Sequence, residues 1–294
     1  ATRSALSERG AYCGRNPPPC AEQIFKPGNL SSVPSKIMCD SAIVVSSGLP
    51  TTLSSTPLPL RRRARSGVPS GRHGAVGCYS TQTYKHMNSG EGGLIVSDDA
   101  DLMAKMVLLS GSYMLFGRHK AVPPPEMFEK AKFDIPNISG RMDNLRAAIL
   151  RPQLRDLAAQ RDRWNTLYRT MEAGLDGVTG LRLIPRPQRE TYVGSSFQFL
   201  LPDWGPVSVE GLVARCLARG VELKWFGAEE PRAFTSRHDH WRYAPAQSLP
   251  RTDRVLAGLI DMRLPLTFSP DDAGLIARII GAEAKALWQQ GVDR

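Results

Sequence analysis

The sequence lacks several features that would each point to a particular class of protein. Its five cysteines are odd in number and form no CxxC or CxxxxC pair, so they indicate neither a disulfide framework nor a zinc site. No apolar run is long enough to cross a bilayer, and the opening ATRSALSERGAYCGRNPPPC lacks the continuous apolar stretch of a signal peptide. These absences predict a soluble, cytoplasmic protein with reduced thiols and no membrane partner.

Acidic residues are missing from a long part of the chain. Between Ser41 and Gly90 there is no Asp or Glu, and most of the net charge of +10 falls within residues 1–70. The basic run RRRAR at 61–65 has no aromatic or glycine residues interleaved with it. We therefore interpret it as a solvated charge run and not as a nucleic-acid site.

The composition changes near Gly67. Residues 1–66 are dominated by Ser, Pro, Thr and Arg and have too little apolar surface to offset the chain entropy lost on folding. Two interpretations of this unassigned segment stay open. It is either a displaced or wrong-frame translation joined to an authentic continuation, or a genuine disordered extension.

The chain beyond Gly67 alternates strand and helix patterns, which predicts an α/β fold. The predicted strands cover 94–97, 196–201, 221–226 and 262–268, and the predicted helices cover 100–109, 141–175, 207–219 and 252–259. A last helix should begin after Ser269 as its N-cap. Two buried faces are expected: Leu145, Ile149, Leu154, Leu157, Trp164, Leu167 and Met171 in the long helix, and Leu275, Ile276, Ile279, Ile280 and Leu287 in the last one.

A single lysine stands out in the stretch CYSTQTYKHMNSGEGGLIVSDD at 78–99. Lys85 follows three hydroxyl side chains, those of Ser80, Thr81 and Thr83, and precedes the glycine-rich turn GEGG. An amine that forms a Schiff base needs a fixed position near donors for a cofactor phosphate, and glycines allow the sharp turn. Taken alone, the pattern also suits a solvated surface lysine.

The order of features around Lys85 resembles a known family. The stretch GVPSGRHGAVGCYSTQTYKHMNSGEGGLIVSDD is similar to the lysine region of the DegT/DnrJ/StrS-type aminotransferases, which are pyridoxal-phosphate (PLP) enzymes of fold type I. The stretch GRMDNLRAAILRPQL resembles the start of a helix in the same family. The resemblance continues through ARGVELKWF and LPRTDRVLAGLIDMRLPLTFS, and so runs from Gly67 to about Ala286.

This resemblance implies roles for individual residues. Lys85 would attach the cofactor and move the substrate proton, and Ser80 would bind the cofactor phosphate. Ser139 or Asn137 would reach the phosphate held by the partner subunit of a homodimer. The substrate would be a nucleotide-linked keto sugar or a cyclitol, with Glu or Gln as amino donor. Residues 67–150 would be the remainder of a PLP-binding major domain, incomplete here, and 151–294 a linking helix with an α/β minor domain.

One part of the family pattern is missing. The family places an Asp, in a D-x-A element about thirty residues before the lysine, beside the cofactor's ring nitrogen. Here the one D-x-A upstream, Asp40 to Ala42, lies 45 residues before Lys85 without family context. We therefore expect an aminotransferase whose activity is impaired. The alternative is a non-catalytic remnant or the partner subunit of an intact enzyme.

Two other motifs carry no site. His238 and His240 flank Asp239, but no further His or Cys cluster completes a metal site, so we expect a polar loop and no metal. The glycines Gly71, Gly74 and Gly77 do not form GxGxxG after a strand, which argues against a dinucleotide site.

Overall fold

A computed structural model describes residues 74–111, 114–116, 122–136, 138–188, 190–232, 235–243, 245–291 and 293. Residues 1–66, which sequence composition left unassigned, lie outside the described residues. The described chain divides into two compact units between Arg155 and Asp156, within one long helix. Among the helices of the described residues, none combines the length and the apolar character needed to span a bilayer.

The first unit contains a hairpin followed by helices. Strand β1 (Gly77–Ser80) pairs antiparallel with β2 (Gly93–Val96). Helix α1 (Ala100–Gly111), helix α2 (Pro125–Glu129) and the start of α3 (Asn144–Leu175) follow.

Helix α1 is fixed at both ends by polar contacts. Asp99 caps its start, because its Oδ1 accepts a hydrogen bond of 3.0 Å from the backbone N–H of Leu102. Its last carbonyls, which have no partner within the helix, accept bonds from a later segment. The N–H of Ile138 donates to Leu109 O at 3.0 Å, and Arg141 donates from its backbone to Ser110 O at 3.0 Å and from its guanidinium to Gly111 O at 2.6 Å.

The core of the first unit is small and lies between α1 and α2. Its buried side chains among the described residues are Met103, Ala104, Val107, Leu108, Phe128 and Ala131. The rings of Phe116 and Phe128 stack with their centroids 4.3 Å apart. Phe116 is partly buried and packs against this cluster.

The second unit contains a four-stranded antiparallel sheet of order β3-β4-β6-β5. Its strands are β3 (Arg182–Leu183), β4 (Ser196–Leu200), β5 (Lys224–Trp225) and β6 (Leu259–Arg263). Its helices are the second half of α3, α4 (Pro206–Ala218), α5 (Pro250–Gly258) and α6 (Pro270–Gln290), with a short 3-10 turn at His238–His240.

Alternation along the central strands places one face of this sheet in the core. Phe197 and Phe199 of β4 are 1% and 0% exposed, and they belong to the same cluster as the buried faces of α3, α4 and α6. Helices α3 and α6 approach closely where both carry small residues. A Cβ built on Gly174 would lie 2.6 Å from Cβ of Ala277, so glycine is required at this crossing.

Helix α6 begins where the sequence predicts, and four of the five residues predicted for its buried face lie in or against the core: Ile276, Ile279, Ile280 and Leu287. Ser269 is its N-cap, accepting a bond of 3.1 Å from the N–H of Asp272. The buried residues are Ala273, Ala277, Ile279, Ile280 and Ala284. The prediction for Leu275 was wrong, since it is 49% exposed. The small alanines at helical spacing form the contact face, and Leu275 points away from it.

Three other predictions need correction. The strand predicted at 262–268 is found at Leu259–Arg263, because α5 already begins at Pro250 and Pro265 cannot donate to a ladder. The strand predicted at 221–226 pairs only over Lys224–Trp225. In α3, which begins at Asn144 after the cap Asp143, Leu145 and Ile149 are 72% and 43% exposed, whereas Trp164, Leu167 and Met171 are buried as expected.

Candidate functional site

The conspicuous lysine lies in the loop that joins β1 to β2. Ser80 and Gly93 are the last residues paired in the hairpin, and the chain between them forms the loop 81–92. The side chains of Ser80 and Lys85 are both exposed. The hairpin therefore places a hydroxyl at the base of the loop and an amine further along it.

Hydrogen bonds across the loop continue the hairpin beyond its strands. The N–H of Thr81 donates to Gly92 O at 2.9 Å, and the N–H of Thr83 donates to Gly90 O at 2.8 Å. Thr81 is 1% exposed, and its hydroxyl lies 3.2 Å from that of Ser89. Ser89 also donates its N–H to Thr81 O at 2.9 Å. The two sides of the loop are therefore held together along its length.

Glycine is required at two positions on the returning side. Gly90 and Gly92 have φ of 88° and 135°, in the region that side chains with a Cβ rarely adopt. At Gly92 a Cβ would also lie 2.9 Å from the Thr81 hydroxyl oxygen. The GEGG motif is thus explained by the backbone path of the loop, and Glu91 contributes its carbonyl, which accepts a 3.2 Å bond from the Ser89 hydroxyl.

A tight turn presents Lys85. Its N–H donates to Gln82 O at 2.9 Å, closing a four-residue turn. The Gln82 side chain accepts from the N–H of Tyr84 at 3.2 Å, and the N–H of Gln82 donates to the hydroxyl of Ser80 at 3.2 Å. Ser80 and Lys85, which the sequence singled out together, are therefore connected through one chain of local hydrogen bonds.

Helix α3 contacts the lysine loop after Lys85 through Gln153, a residue that sequence reasoning missed. The side-chain oxygen of Gln153 accepts from the N–H of Asn88 at 2.9 Å, and its Nε2 donates to Asn88 O at 2.7 Å. A single glutamine in an amphipathic helix gives no signal of such a contact in the sequence. The separation of 65 residues makes it visible only once the chain is folded.

Ser139 and Asn137 are the two residues predicted to reach the phosphate held by a partner subunit, and the structure describes Ser139. Ser139 is exposed and has a φ of 51°, a left-handed conformation that is uncommon for a residue with a side chain. Its neighbours Ile138 and Arg141 hold this segment to the end of α1. Asn137 lies outside the described residues.

The histidine motif forms a polar loop. His238 lies 2.7 Å from a carboxylate oxygen of Asp253, and the Nδ1 of His240 accepts a 3.2 Å bond from the N–H of Arg237. Asp239 pairs with the Arg237 guanidinium, which lowers the pKa of Asp239 to about 2. Within the described part of the chain no group of three His, Cys, Asp or Glu side chains could hold a metal ion.

Comparison with protein families gives a match over most of the chain. The model of the DegT/DnrJ/EryC1/StrS aminotransferase family matches residues 64–280. The comparison with curated protein sequences returned no match. The matched region begins close to Gly67, where the composition of the sequence changes.

Solved structures share the fold at low sequence identity. The aminotransferase TlmJ from Streptoalloteichus hindustanus is 20% identical with a TM-score of 0.60, and the match covers 76% of this chain and 55% of that one. A DegT/DnrJ/EryC1/StrS aminotransferase from Brucella abortus is 20% identical with a TM-score of 0.53, covering 74% and 52%. The E. coli GDP-4-keto-6-deoxy-D-mannose-3-dehydratase with bound hydrated PLP is 16% identical with a TM-score of 0.57, covering 73% and 56%. This chain therefore spans just over half the length of each.

Proposed function

The chain belongs to the DegT/DnrJ/EryC1/StrS aminotransferase family, and on that basis we propose that Lys85 is the residue to which PLP attaches. Its mixed helix and sheet architecture is the fold type I of PLP-dependent transferases. The first unit would then be the remainder of the cofactor-binding major domain. The second unit would be the linking helix and the minor domain.

One observation carries this proposal. Lys85 is presented by a hydrogen-bonded turn whose first residue is joined to the hydroxyl of Ser80, and the returning strand is reached through two glycines in left-handed conformations. These bonds hold the backbone of Lys85 in a fixed relation to the hydroxyl of Ser80.

The residues present fit two of the three ends of PLP. The amine of Lys85 suits the aldehyde, and the hydroxyl of Ser80 suits the phosphate, with Ser139 or Asn137 proposed to reach the phosphate held by a partner subunit. The family supplies a carboxylate to the ring nitrogen from an Asp in a D-x-A element upstream of the lysine, and residues 77–96 contain no Asp. We infer that this third contact is not supplied by the hairpin.

Exposure of Lys85 bears on how well the chain would work. PLP, when bound, supplies the electron sink that lets an amino group move between an amino acid and a keto compound. Lys85 would hold the cofactor and then carry the proton at the substrate carbon. Because its side chain is exposed, water reaches the amine that a closed site would keep dry. We therefore propose an aminotransferase with impaired activity.

The substrate class that we propose is supported by the matched family and by the names of similar solved structures. A nucleotide-linked keto sugar stands in the name of the E. coli dehydratase, and the matched family is one of aminotransferases. We propose a keto sugar or a cyclitol as acceptor and Glu or Gln as amino donor, acting in the cytoplasm. A homodimer is proposed because, by family resemblance, the GRMD helix start lies near a shared site. A non-catalytic remnant or partner subunit is the second candidate, favoured by the exposed lysine.

Trapping of the cofactor tests the proposal. The chain would be incubated with PLP and reduced with borohydride, and the labelled lysine would be identified by peptide mapping. Lys85 should carry most of the label, and Lys85→Ala should remove it. The matched control is Lys105→Ala, a lysine paired with Asp101 at 2.6 Å on the surface of α1. A label spread evenly over several lysines would contradict the assignment of Lys85. The second candidate, a non-catalytic remnant or partner subunit, would then be favoured.

A further inference from the structure

Gln153 of α3 forms a complete hydrogen-bonding set with the lysine loop. Its Oε1 accepts from Asn88 N at 2.9 Å, and its Nε2 donates to Asn88 O at 2.7 Å. The second hydrogen on Nε2 is directed to Ile149 O at 3.0 Å, one turn earlier in the helix. One side chain therefore pairs with both backbone groups of Asn88, as a neighbouring strand would.

The orientation of this amide is determined by its partners. Both N–H groups of Nε2 meet carbonyl oxygens, and the single oxygen meets an N–H. A flipped amide would place its oxygen against two carbonyls and its nitrogen against an N–H. Only one orientation of the amide makes all three hydrogen bonds, so these bonds specify the orientation of the Gln153 side chain.

We propose that Gln153 is a positioning residue that fixes the backbone of Asn88 and, through it, the turn that presents Lys85; this rests on the proposed function of Lys85. The contacts across the loop involve Thr81 and Thr83 on the outgoing side and Ser89, Gly90 and Gly92 on the returning side. Asn88 lies three residues after Lys85. Gln153 thus extends the support of the loop from its base toward the lysine.

Backbone amide exchange tests the position directly and needs no cofactor. Gln153→Met keeps the length of the side chain and removes all three bonds. Exchange at Asn88 should accelerate about 30-fold, the factor for losing two ordinary hydrogen bonds. Gln160→Met is the matched control, two turns further along the same helix, where the glutamine side chain makes no hydrogen bond to the described residues. It should leave exchange at Asn88 unchanged.

A second variant keeps the test decisive if Gln153→Met folds poorly. Gln153→Glu retains an acceptor for the Asn88 N–H but turns its other oxygen toward two carbonyls. When the introduced carboxyl is protonated, its O–H can donate to Asn88 O again. Protection of Asn88, corrected for the intrinsic effect of pH on exchange, should therefore return as the pH falls below about 4 in this variant. The wild type should show no such step.

Labelling at Lys85 connects the position to the proposed function. With PLP and borohydride, Gln153→Met should lower the label at Lys85 about tenfold and leave that at Lys105 unchanged. Unchanged exchange at Asn88 would overturn the proposal, and so would faster exchange with full labelling of Lys85. If the wild-type chain takes no label at Lys85, the proposed function fails, and the exchange data still decide whether Gln153 fixes Asn88.

Discussion

The two units of this chain differ in how much structure supports them. In the second unit, a four-stranded sheet packs against helices, and its described core includes large side chains that are fully buried, such as Phe199, Leu212 and Ile280. The first unit has a two-stranded hairpin and a described core confined mainly to α1 and α2. A two-stranded hairpin is marginal by itself in water. The residue proposed to do chemistry therefore lies in the unit with the smaller core.

Local hydrogen bonds stabilise the lysine loop in the unit with the smaller core. Thr81, Thr83 and Ser89 bond across the loop, Gln82 forms the turn, and Gln153 holds Asn88 from α3. These contacts specify the shape of the loop without a large apolar core around it. They leave Lys85 exposed, which is the state expected of an amine whose surrounding site is not complete within this hairpin.

We expect the largest difference between the two units in the reactivity of the two described cysteines. Cys78 is exposed on β1, whereas Cys216 is buried in α4, and burial raises its pKa from 9.0 to about 12. At neutral pH Cys216 should hold about a thousandfold less thiolate than an unperturbed thiol. We expect a maleimide to label Cys78 within minutes and to leave Cys216 unmodified, as measured by peptide mapping.

The same burial predicts a pH effect on the second unit. The pKa of Cys216 is higher in the folded chain, so its contribution to stability is present below pH 9.0 and is lost as the pH rises toward about 12.

Rapid labelling of Cys216 in the native protein at neutral pH would show that the core of the second unit opens readily. The comparison between the units would then fail.

A truncation in the sheet should have the next largest effect. Phe199→Ala removes a side chain that is 0% exposed in the central strand β4, and we expect a loss of about 3–5 kcal/mol in the free energy of unfolding. Tryptophan fluorescence during urea unfolding measures this, because all five tryptophans lie in the second unit.

The matched control for this truncation is Leu275→Ala in α6, where the side chain is 49% exposed. We expect a change within about 0.5 kcal/mol. Equal losses for the two variants would contradict the observed burial and would favour the stripe that the sequence predicted for this helix.

Loss of a helix cap should have the smallest effect. Ser269→Ala removes the acceptor for the N–H of Asp272 and should cost about 1 kcal/mol in the unfolding free energy of the second unit. In the wild type, hydrogen bonds from the backbone and hydroxyl of Ser269 lower the pKa of Asp272 below its ordinary 3.8. Their contribution is present above pH 3.8 and is lost as the pH falls through the lower folded value.

The variant should therefore lose less stability than the wild type on acidification below pH 3.8. Parallel acid titrations of the two proteins, followed by tryptophan fluorescence, would measure this difference. Identical acid profiles would mean that the capping box at Ser269 does not form in solution.

Features of the fold that depend on residues close in the sequence could be predicted. The cap Ser269 and the lysine motif depend on residues close in sequence, and α1, α3 and α6 were found near their predicted positions. Only Leu275 was wrongly predicted to be buried in α6, because small residues such as Ala277, which approaches Gly174 closely, occupy that part of the contact face. The contact between Gln153 and Asn88 could not be predicted, because nothing in either residue's neighbourhood encodes the other.

We propose that the lysine loop is formed while the described residues around it supply no carboxylate for the ring nitrogen, and one kinetic comparison tests this central claim most directly. The half-reaction with glutamate and added PLP would be timed for this chain and for a version in which a family-type N-terminal domain is fused at Gly67. We predict a rate at least about a hundredfold higher in the fusion, since the added domain would supply the carboxylate for the ring nitrogen and exclude water from Lys85. Equal rates would contradict the account, because the chain would then already supply a working cofactor site.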